Sequence, residues 1–467
     1  MTEIQKKMFA EMAEQSIYDR ALGFGKAYLD DVLQRHVSPT EEAIQNLSFF
    51  DEEMNESYFD SHQLINDLHQ YGAPATSAIM GGRYFGFVNG SVVPAATAAK
   101  VMSTFWDQNT AMYVISPVAS KLESVVEKWL LSILNFPTQA VAGFVSGSSM
   151  ANFCGLAAGR YRLLQNQNWD VNKRGLFNAP SLRVVTGREA HSTVLKSIGL
   201  LGFGQDTIEF VDTDLQGRIR AELLPPLDNR TLVILQAGNV NSGSFDEFES
   251  ICTKARAAGA WVHIDGAFGL WASAVKNLSH LTKGMELANS WAVDGHKTLN
   301  TPYDSGIVLC ADKEALTSAL HMAGAYIVVS KDRDGMFYTP EMSRRARIIE
   351  LWATLKYLGK RGVDEMIEEM HVRAKQFAQE LSSKEGFTIL NDVVFNQVLV
   401  CCASDTLTNK VIEHIQRERV CWVGGSTWRG KKVIRISVCS WATTAKDVSM
   451  SVASFQSSLQ KAQSEFS

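Results

Sequence analysis

Between about residues 140 and 312, short apolar or β-branched runs alternate with amphipathic stretches. Seven runs read as strands: AVAGFVSG, LRVVTG, DTIEFVD, TLVILQAG, WVHIDGAF, SWAVDGHK and SGIVLCAD. Segments such as FESICTKARAAGA lie between several of them, with apolar residues at helical spacing. This alternation predicts an α/β fold, with a mainly parallel seven-stranded sheet flanked by helices. In such sheets the ligand lies beyond the carboxyl ends of the strands. Most of these runs end there in Gly or polar residues, where chemistry is to be sought. Residues 1–70 mix Glu, Gln and Lys with Leu, Ile, Tyr and Phe at helical spacing. They predict an N-terminal helical arm that packs on another surface, such as a second subunit. Residues 71–345 form the expected large domain, opening with an ordered loop over 71–100 that contains YFGFVNGSVVP. Residues 346–467 predict a smaller C-terminal α+β domain. RRARIIELWATLKYLGKRG leads into it as a long helix, and VVFNQVLVCCA and KKVIRISVCSWA read as strands. The last helix, through SFQSSLQKAQSEF, is polar, and fraying is expected of it.

Composition narrows the function classes. Of the 467 residues, 46% are apolar and 20% charged, as in ordinary folded domains. The formal net charge of −5 and the scattered Lys and Arg give no basic face for nucleic acid. The N-terminus has no apolar signal-peptide core, and no apolar run approaches the ~20 residues that span a bilayer. The seven cysteines are odd in number and include no C-x-x-C pair, which favours a reducing cytoplasm over a disulfide framework. The ten histidines are not spaced as metal ligands.

Four strand ends carry candidate chemistry. Asp294, Gly295, His296 and Lys297 close the run SWAVDGHK. A lysine just past a buried strand sits near the ligand crevice, where partial desolvation makes its amine nucleophilic. Taken alone, Lys297 also reads as one more solvated lysine. Asp265 ends WVHID and is followed by Gly266 and Ala267, small residues that let a flat ring approach the backbone. A carboxylate there can pair with a protonated ring nitrogen; the plainer role is a helix cap. Gly147, Ser148 and Ser149 join a strand to a helix, where amides and hydroxyls suit a phosphate or an ordinary Ser cap. His191 follows a strand and opens a helix, where a flat imidazole stacks on a ring or serves structure. Lys196, one turn on, is a rival to Lys297. Phosphate cradle, stacking His, ring-nitrogen Asp and imine-forming Lys, in that order, point to pyridoxal 5′-phosphate.

With these motifs in place, the chain resembles the group II pyridoxal-phosphate-dependent amino acid decarboxylases. These are a branch of the fold type I (aspartate aminotransferase-like) enzymes. The likeness runs from about residue 70 to about 450. It rests on YFGFVNG, SPVASKLE, SGSSMAN, EAHSTVLKSIGLLG, SGSFDE, HIDGAFG, DGHKTLNTPYD, SRRARIIELWATLKYLG and RISVCSWATT. It implies that Lys297 carries the cofactor, Asp265 holds the pyridine nitrogen and His191 stacks on the ring. Ser148 and Ser149 match the phosphate cradle. Asp294 matches a polar contact to phosphate or lysine, and His296 adjoins the reactive lysine. Three departures stand out. Met150 replaces a common Glu, Asn239-Val240 replaces a Thr-Thr pair, and the loop that usually carries a protonating Tyr is altered. Tyr338 is the candidate for that role, with Tyr326 behind it.

The resemblance implies decarboxylation of an L-amino acid to its amine and carbon dioxide, in a homodimer with shared active sites. Proton return to the α-carbon falls to a loop Tyr or to His296. An aminotransferase or carbon–carbon lyase is the alternative, with Arg435 gripping an α-carboxylate; Arg435 also reads as half of a structural ion pair. A non-enzymatic relative and a nucleotide-binding oxidoreductase are disfavoured, the first by the retained set of residues and the second by the missing glycine fingerprint. Phe85, Phe87, Asn89, Trp106 and Tyr113 are candidate substrate-pocket residues, and equally candidates for core or interface.

Overall fold

A computed structural model describes residues 1–321 and 330–465. The N-terminal arm contains α1 (Glu3–Glu14), α2 (Ser16–Val32), α3 (Glu41–Gln45) and α4 (Ser61–Asp67). The loop expected over 71–100 ends early, because Pro94 at a first-turn position opens α5 (Pro94–Thr104) through the helix-forming AATAAKV. Next come α6 (Pro117–Ile133), β1 (Val141–Val145), α7 (Ser148–Gln165), α8 (Val171–Arg174), β2 (Arg183–Gly187) and α9 (Ser192–Leu200). They are followed by β3 (Ile208–Val211), β4 (Thr231–Gln236), α10 (Phe248–Ala257), β5 (Trp261–Asp265), β6 (Ser290–Asp294), β7 (Gly306–Cys310) and α11 (Lys313–Ala319).

All seven expected strands form one sheet, in the order β1-β7-β6-β5-β4-β2-β3. Only β7 runs against its neighbours. Strands β1, β4, β5, β6 and β7 are buried along their whole length, as a sheet covered on both faces requires. The carboxyl ends of β1, β2, β4, β5 and β6 therefore share one edge. At that edge Gly306, the first residue of β7, pairs with Val145 on one side and Asp294 on the other. A Cβ at Gly306 would overlap the backbone of Gly147. The cradle after β1 and the lysine turn after β6 are thus drawn together.

The long α12 (Ile348–Ser382) begins just past residue 346 and serves two cores. It bends at Gly359, where φ is +59°, a value that glycine tolerates. Ile348, Ile349, Leu351 and Leu355 pack into the main core, while Met370, Ala374, Phe377 and Leu381 pack into the core of the small domain. The small domain adds β8 (Thr388–Ile389), β9 (Gln397–Cys401), α13 (Asp405–Glu418), β10 (Gly424–Trp428), β11 (Lys431–Ser437) and α14 (Ala445–Ser464). Its sheet order is β10-β11-β9-β8. Helix α14 does not behave as a fraying polar tail. Val448, Val452, Phe455 and Leu459 form a buried stripe at helical spacing, and Thr444 and Asp447 close a capping box.

Gly306→Ala should cost about 1–3 kcal/mol of stability, since the neighbouring backbone leaves no room for a methyl group. A urea denaturation midpoint equal to that of the parent would contradict this packing.

Candidate active site

Lys297, Asp294 and His296 leave β6 in one tight turn. The Lys297 Nζ lies 3.2 Å from Asp294 Oδ2, and His296 Nε2 lies 3.6 Å from the same oxygen. The Asp294 side chain is 1% exposed and that of Lys297 19%, so the acid is buried and the amine looks out. His296 Nδ1 accepts the Ser305 N–H at 3.1 Å, so its proton sits on Nε2, toward Asp294. Burial pushes the His296 pKa down, and the imidazole is neutral near pH 7. Rival Lys196 is exposed on α9.

Asp265 ends β5, beside β6, and is buried. The Ala267 N–H donates to its Oδ1 at 3.2 Å. Burial raises its pKa, opposed by the charges of His191 and Lys297. No Lys or Arg forms an ion pair with it among the described residues. His191 caps α9 and its Nδ1 bonds Thr193 Oγ1 at 2.7 Å. Burial lowers its pKa, and it senses Asp265, Lys297, Arg435 and Asp294. Strands β2, β5, β6 and β11 thus bring five sequence candidates into one electrostatic neighbourhood.

Gly147 and Ser148 open the 18-residue α7. A Cβ on Gly147 would come within 3.4 Å of His296 Cε1 and 3.7 Å of Asp294 Oδ1, and that oxygen is buried without a hydrogen-bond partner. Ser148 is buried and Ser149 exposed. A helix N-terminus, a lone buried carboxylate at 265 and an out-facing lysine together fit a phosphate-bearing aldehyde with a protonated ring nitrogen.

Other candidates go elsewhere. Tyr338 is not at this cluster. It is buried with the Arg333 guanidinium 3.8 Å over its ring, and Arg333 is locked by Glu123 and Glu127 at 2.9 and 2.7 Å. Cation–π attraction and two ion pairs commit it to structure. Tyr326 lies outside the described residues. Phe85 is fully buried in the core of the small domain, edge-on to Phe377 at 4.9 Å. Phe87 is exposed and stacks on Trp422 at 5.2 Å. Asn89 Oδ1 accepts the Tyr303 hydroxyl at 2.9 Å. Tyr113 gives its backbone N–H to Asp334, and Trp106 is exposed at the end of α5. Met150 packs at the edge of the cluster around α7. Asn239 Oδ1 accepts the N–H groups of Asn241 and Ser242 at 2.9 and 3.2 Å, shaping its own turn. Arg435 forms no ion pair among the described residues. Its one polar contact is Nη1 to the Val240 carbonyl at 3.4 Å, so the structural ion-pair reading fails.

Two residues escaped the sequence reading, although both lie within DGHKTLNTPYD. Tyr303 stacks on His296 at 4.4 Å. Asn300 ties three segments together. Its Nδ2 donates to the carbonyls of Lys297 (2.9 Å), Thr298 (3.2 Å) and Cys439 (2.8 Å), while its Oδ1 accepts from Ser91 and Trp441 at 3.1 and 2.9 Å.

The model of the pyridoxal-dependent decarboxylase conserved domain matches residues 44–403. The chain belongs to the pyridoxal-dependent decarboxylase family. The acidic amino acid decarboxylase GADL1 of Mus musculus is 26% identical over 330 residues, 68% of this chain and 59% of the relative. The cysteine sulfinic acid decarboxylase of Homo sapiens is 25% identical over 345 residues, 70% of this chain and 68% of the relative. The aromatic-L-amino-acid decarboxylase of Bacillus atrophaeus is 25% identical over 419 residues, 85% of each chain. Among solved structures, mouse CSAD in apo form superposes with a TM-score of 0.86 at 18% identity, covering 96% of this chain and 99% of that one. Oryza sativa TDC with PLP and tryptamine gives 0.86 at 20% identity, covering 97% and 98%. The structural likenesses speak to the fold alone. The fold type, cofactor and carboxy-lyase chemistry expected from the sequence are those of the pyridoxal-dependent decarboxylase family.

Asn300→Ala leaves buried carbonyls and amides without partners at three segments, and should cost about 3 kcal/mol or more. Asn300→Asp, which cannot donate, should fail to restore it. A denaturation midpoint for Asn300→Ala within error of the parent would contradict this.

Proposed function

We propose that the chain removes the α-carboxylate of an L-amino acid as carbon dioxide and leaves the amine, with pyridoxal 5′-phosphate held on Lys297. The observation that carries this reading is the buried Asp265 carboxylate, without a cation of its own, beside Lys297 and His191 at one sheet edge. When bound, the cofactor supplies an electron-withdrawing ring that takes up the electron pair left on the α-carbon.

The chain's own residues provide the rest. Asp265 presents a negative charge to a protonated ring nitrogen and keeps it protonated. His191 offers a flat face, and Ala267 keeps the floor of the site low. Gly147, Ser148 and Ser149 offer amides and hydroxyls to the phosphate. Asp294 holds the Lys297 amine near the cradle, and His296 points its Nε2 proton at Asp294 rather than at the α-carbon. Tyr303 keeps its phenolic proton, because burial raises its pKa, and it is the described phenol stacked on the lysine turn. We assign proton return to it. Arg435, free of any acidic partner among the described residues, receives the substrate carboxylate. That freedom also favours the second reading, transamination, in which the carboxylate is gripped and retained.

We further infer a cytoplasmic homodimer. All seven cysteines are free and buried, which suits a reducing compartment. No described helix is long and apolar enough to cross a membrane. Met8, Phe9 and Met12 on α1, with Phe105, Val114 and Ile115 before α6, are exposed, and a second copy would cover them.

Incubation with single L-amino acids should release equimolar amine and carbon dioxide; keto acid without amine would overturn decarboxylation in favour of transamination. Lys297→Ala should abolish borohydride-fixed cofactor, while a label recovered on Lys196 would overturn the assignment. Arg435→Gln should raise KM by about tenfold or more, the loss of a charge-assisted hydrogen bond, and leave cofactor content unchanged.

A further inference from the structure

Behind Asp265, on the side facing α7, lies a buried line of polar groups that the reaction above does not use. Trp261, His263 and Asp265 alternate along β5, so they share one face of the sheet. Trp261 Nε1 donates to Ser290 Oγ at 3.0 Å. Ser290 Oγ lies 2.8 Å from His263 Nδ1, and His263 Nε2 lies 2.9 Å from Asn152 Oδ1. The far end of that amide, Asn152 Nδ2, is buried and makes no hydrogen bond, and Asn152 is among the groups that lower the pKa of Asp265.

The chemistry of each group fixes the direction of the chain. Indole N–H only donates, so Ser290 accepts from Trp261 and keeps one proton for either the Gly155 carbonyl at 3.4 Å or His263 Nδ1 at 2.8 Å; the much shorter contact gives it to His263. His263 then carries its single proton on Nε2, because burial pushes its pKa down to about 3 and keeps it neutral. That proton calls for the oxygen of Asn152, which turns the amide NH2 toward Asp265. A flipped amide would set two N–H donors against each other and a carbonyl against a carboxylate.

Space for this line has been left on α7. A Cβ at Gly155 would come within 2.6 Å of His263 Nδ1, and one at Gly159 within 2.9 Å of Trp261 Nε1. Asn152, Gly155 and Gly159 lie on one helix face, so one amide reaches over β5 while two bare backbone positions admit the rings.

We propose that Trp261, Ser290, His263 and Asn152 form a one-way hydrogen-bond chain that delivers an N–H to Asp265 and fixes that carboxylate against the cofactor ring. His263 and Asn152 are then positioning residues. They touch neither substrate nor cofactor, and their effect rests on Asp265 facing the ring nitrogen as proposed above.

The test compares His263→Gln, which keeps a donor where Nε2 lies, with His263→Leu, which keeps none. Pyridoxal phosphate is titrated into each cofactor-free protein. The leucine variant should bind roughly tenfold more weakly than the parent and the glutamine variant within about threefold of it. Equal affinity of parent and leucine variant, or equal weakness of both variants, would overturn the chain. A parent that takes up no cofactor would overturn the functional reading itself, which the two variants alone do not address. A second measurement needs neither cofactor nor variant. In the ¹⁵N spectrum of histidine-labelled parent protein, His263 should be the neutral tautomer protonated at Nε2 from about pH 6 to 8. Protonation at Nδ1 would reverse the direction and overturn the proposal.

Discussion

A carboxylate buried at the end of a strand with no cation paired to it is costly unless something positive arrives. Asp265 is such a group, and the surrounding structure makes sense as the means of placing it. Strand β5 is central in the sheet, so its end moves little. Lys297 comes from the neighbouring β6 and His191 from the turn after β2, beyond β4, and both oppose the penalty of burial without quenching the charge by direct pairing. The cation the site lacks is the one that a protonated pyridine ring would bring. Stability is given up locally so that the coenzyme can supply it.

The same edge shows how much geometry depends on absent side chains and on one amide. Gly306 lets the cradle and the lysine turn meet, and Gly90 lets the N-terminal loop press on the Lys297 carbonyl. Asn300 then ties that loop, the lysine turn and the small domain into one junction. Its backbone φ of +56° is one that asparagine tolerates better than most residues. The reactive lysine is thus carried on a short segment gripped from three directions. Such rigidity favours a single approach of substrate to amine.

Much of this was legible in the chain. Seven strands appear as short apolar runs, five of them buried along their whole length, and several of their ends carry the residues that the fold gathers. Legibility fails where long-range packing decides. Strand β10, GGSTW, has no apolar alternation and exists because β11 pairs with it. Phe85 and Tyr338 have the chemistry of pocket residues, yet each is claimed by a partner distant in sequence, Phe377 and Arg333. The long helix α12 bends at Gly359 and packs its two halves into different cores, which blurs a boundary that composition alone would draw. Arg435 shows the reverse case. A half-buried arginine in a strand suggests an ion pair, and only the fold reveals that no acid pairs with it among the described residues.

The most direct measurement is a crystal structure of the protein grown with pyridoxal 5′-phosphate. The account predicts continuous density from the Lys297 side chain to the cofactor, with the ring nitrogen within hydrogen-bond distance of the Asp265 carboxylate and the phosphate at the start of α7. Density joined to another lysine, or a ring nitrogen facing any group other than Asp265, would contradict it.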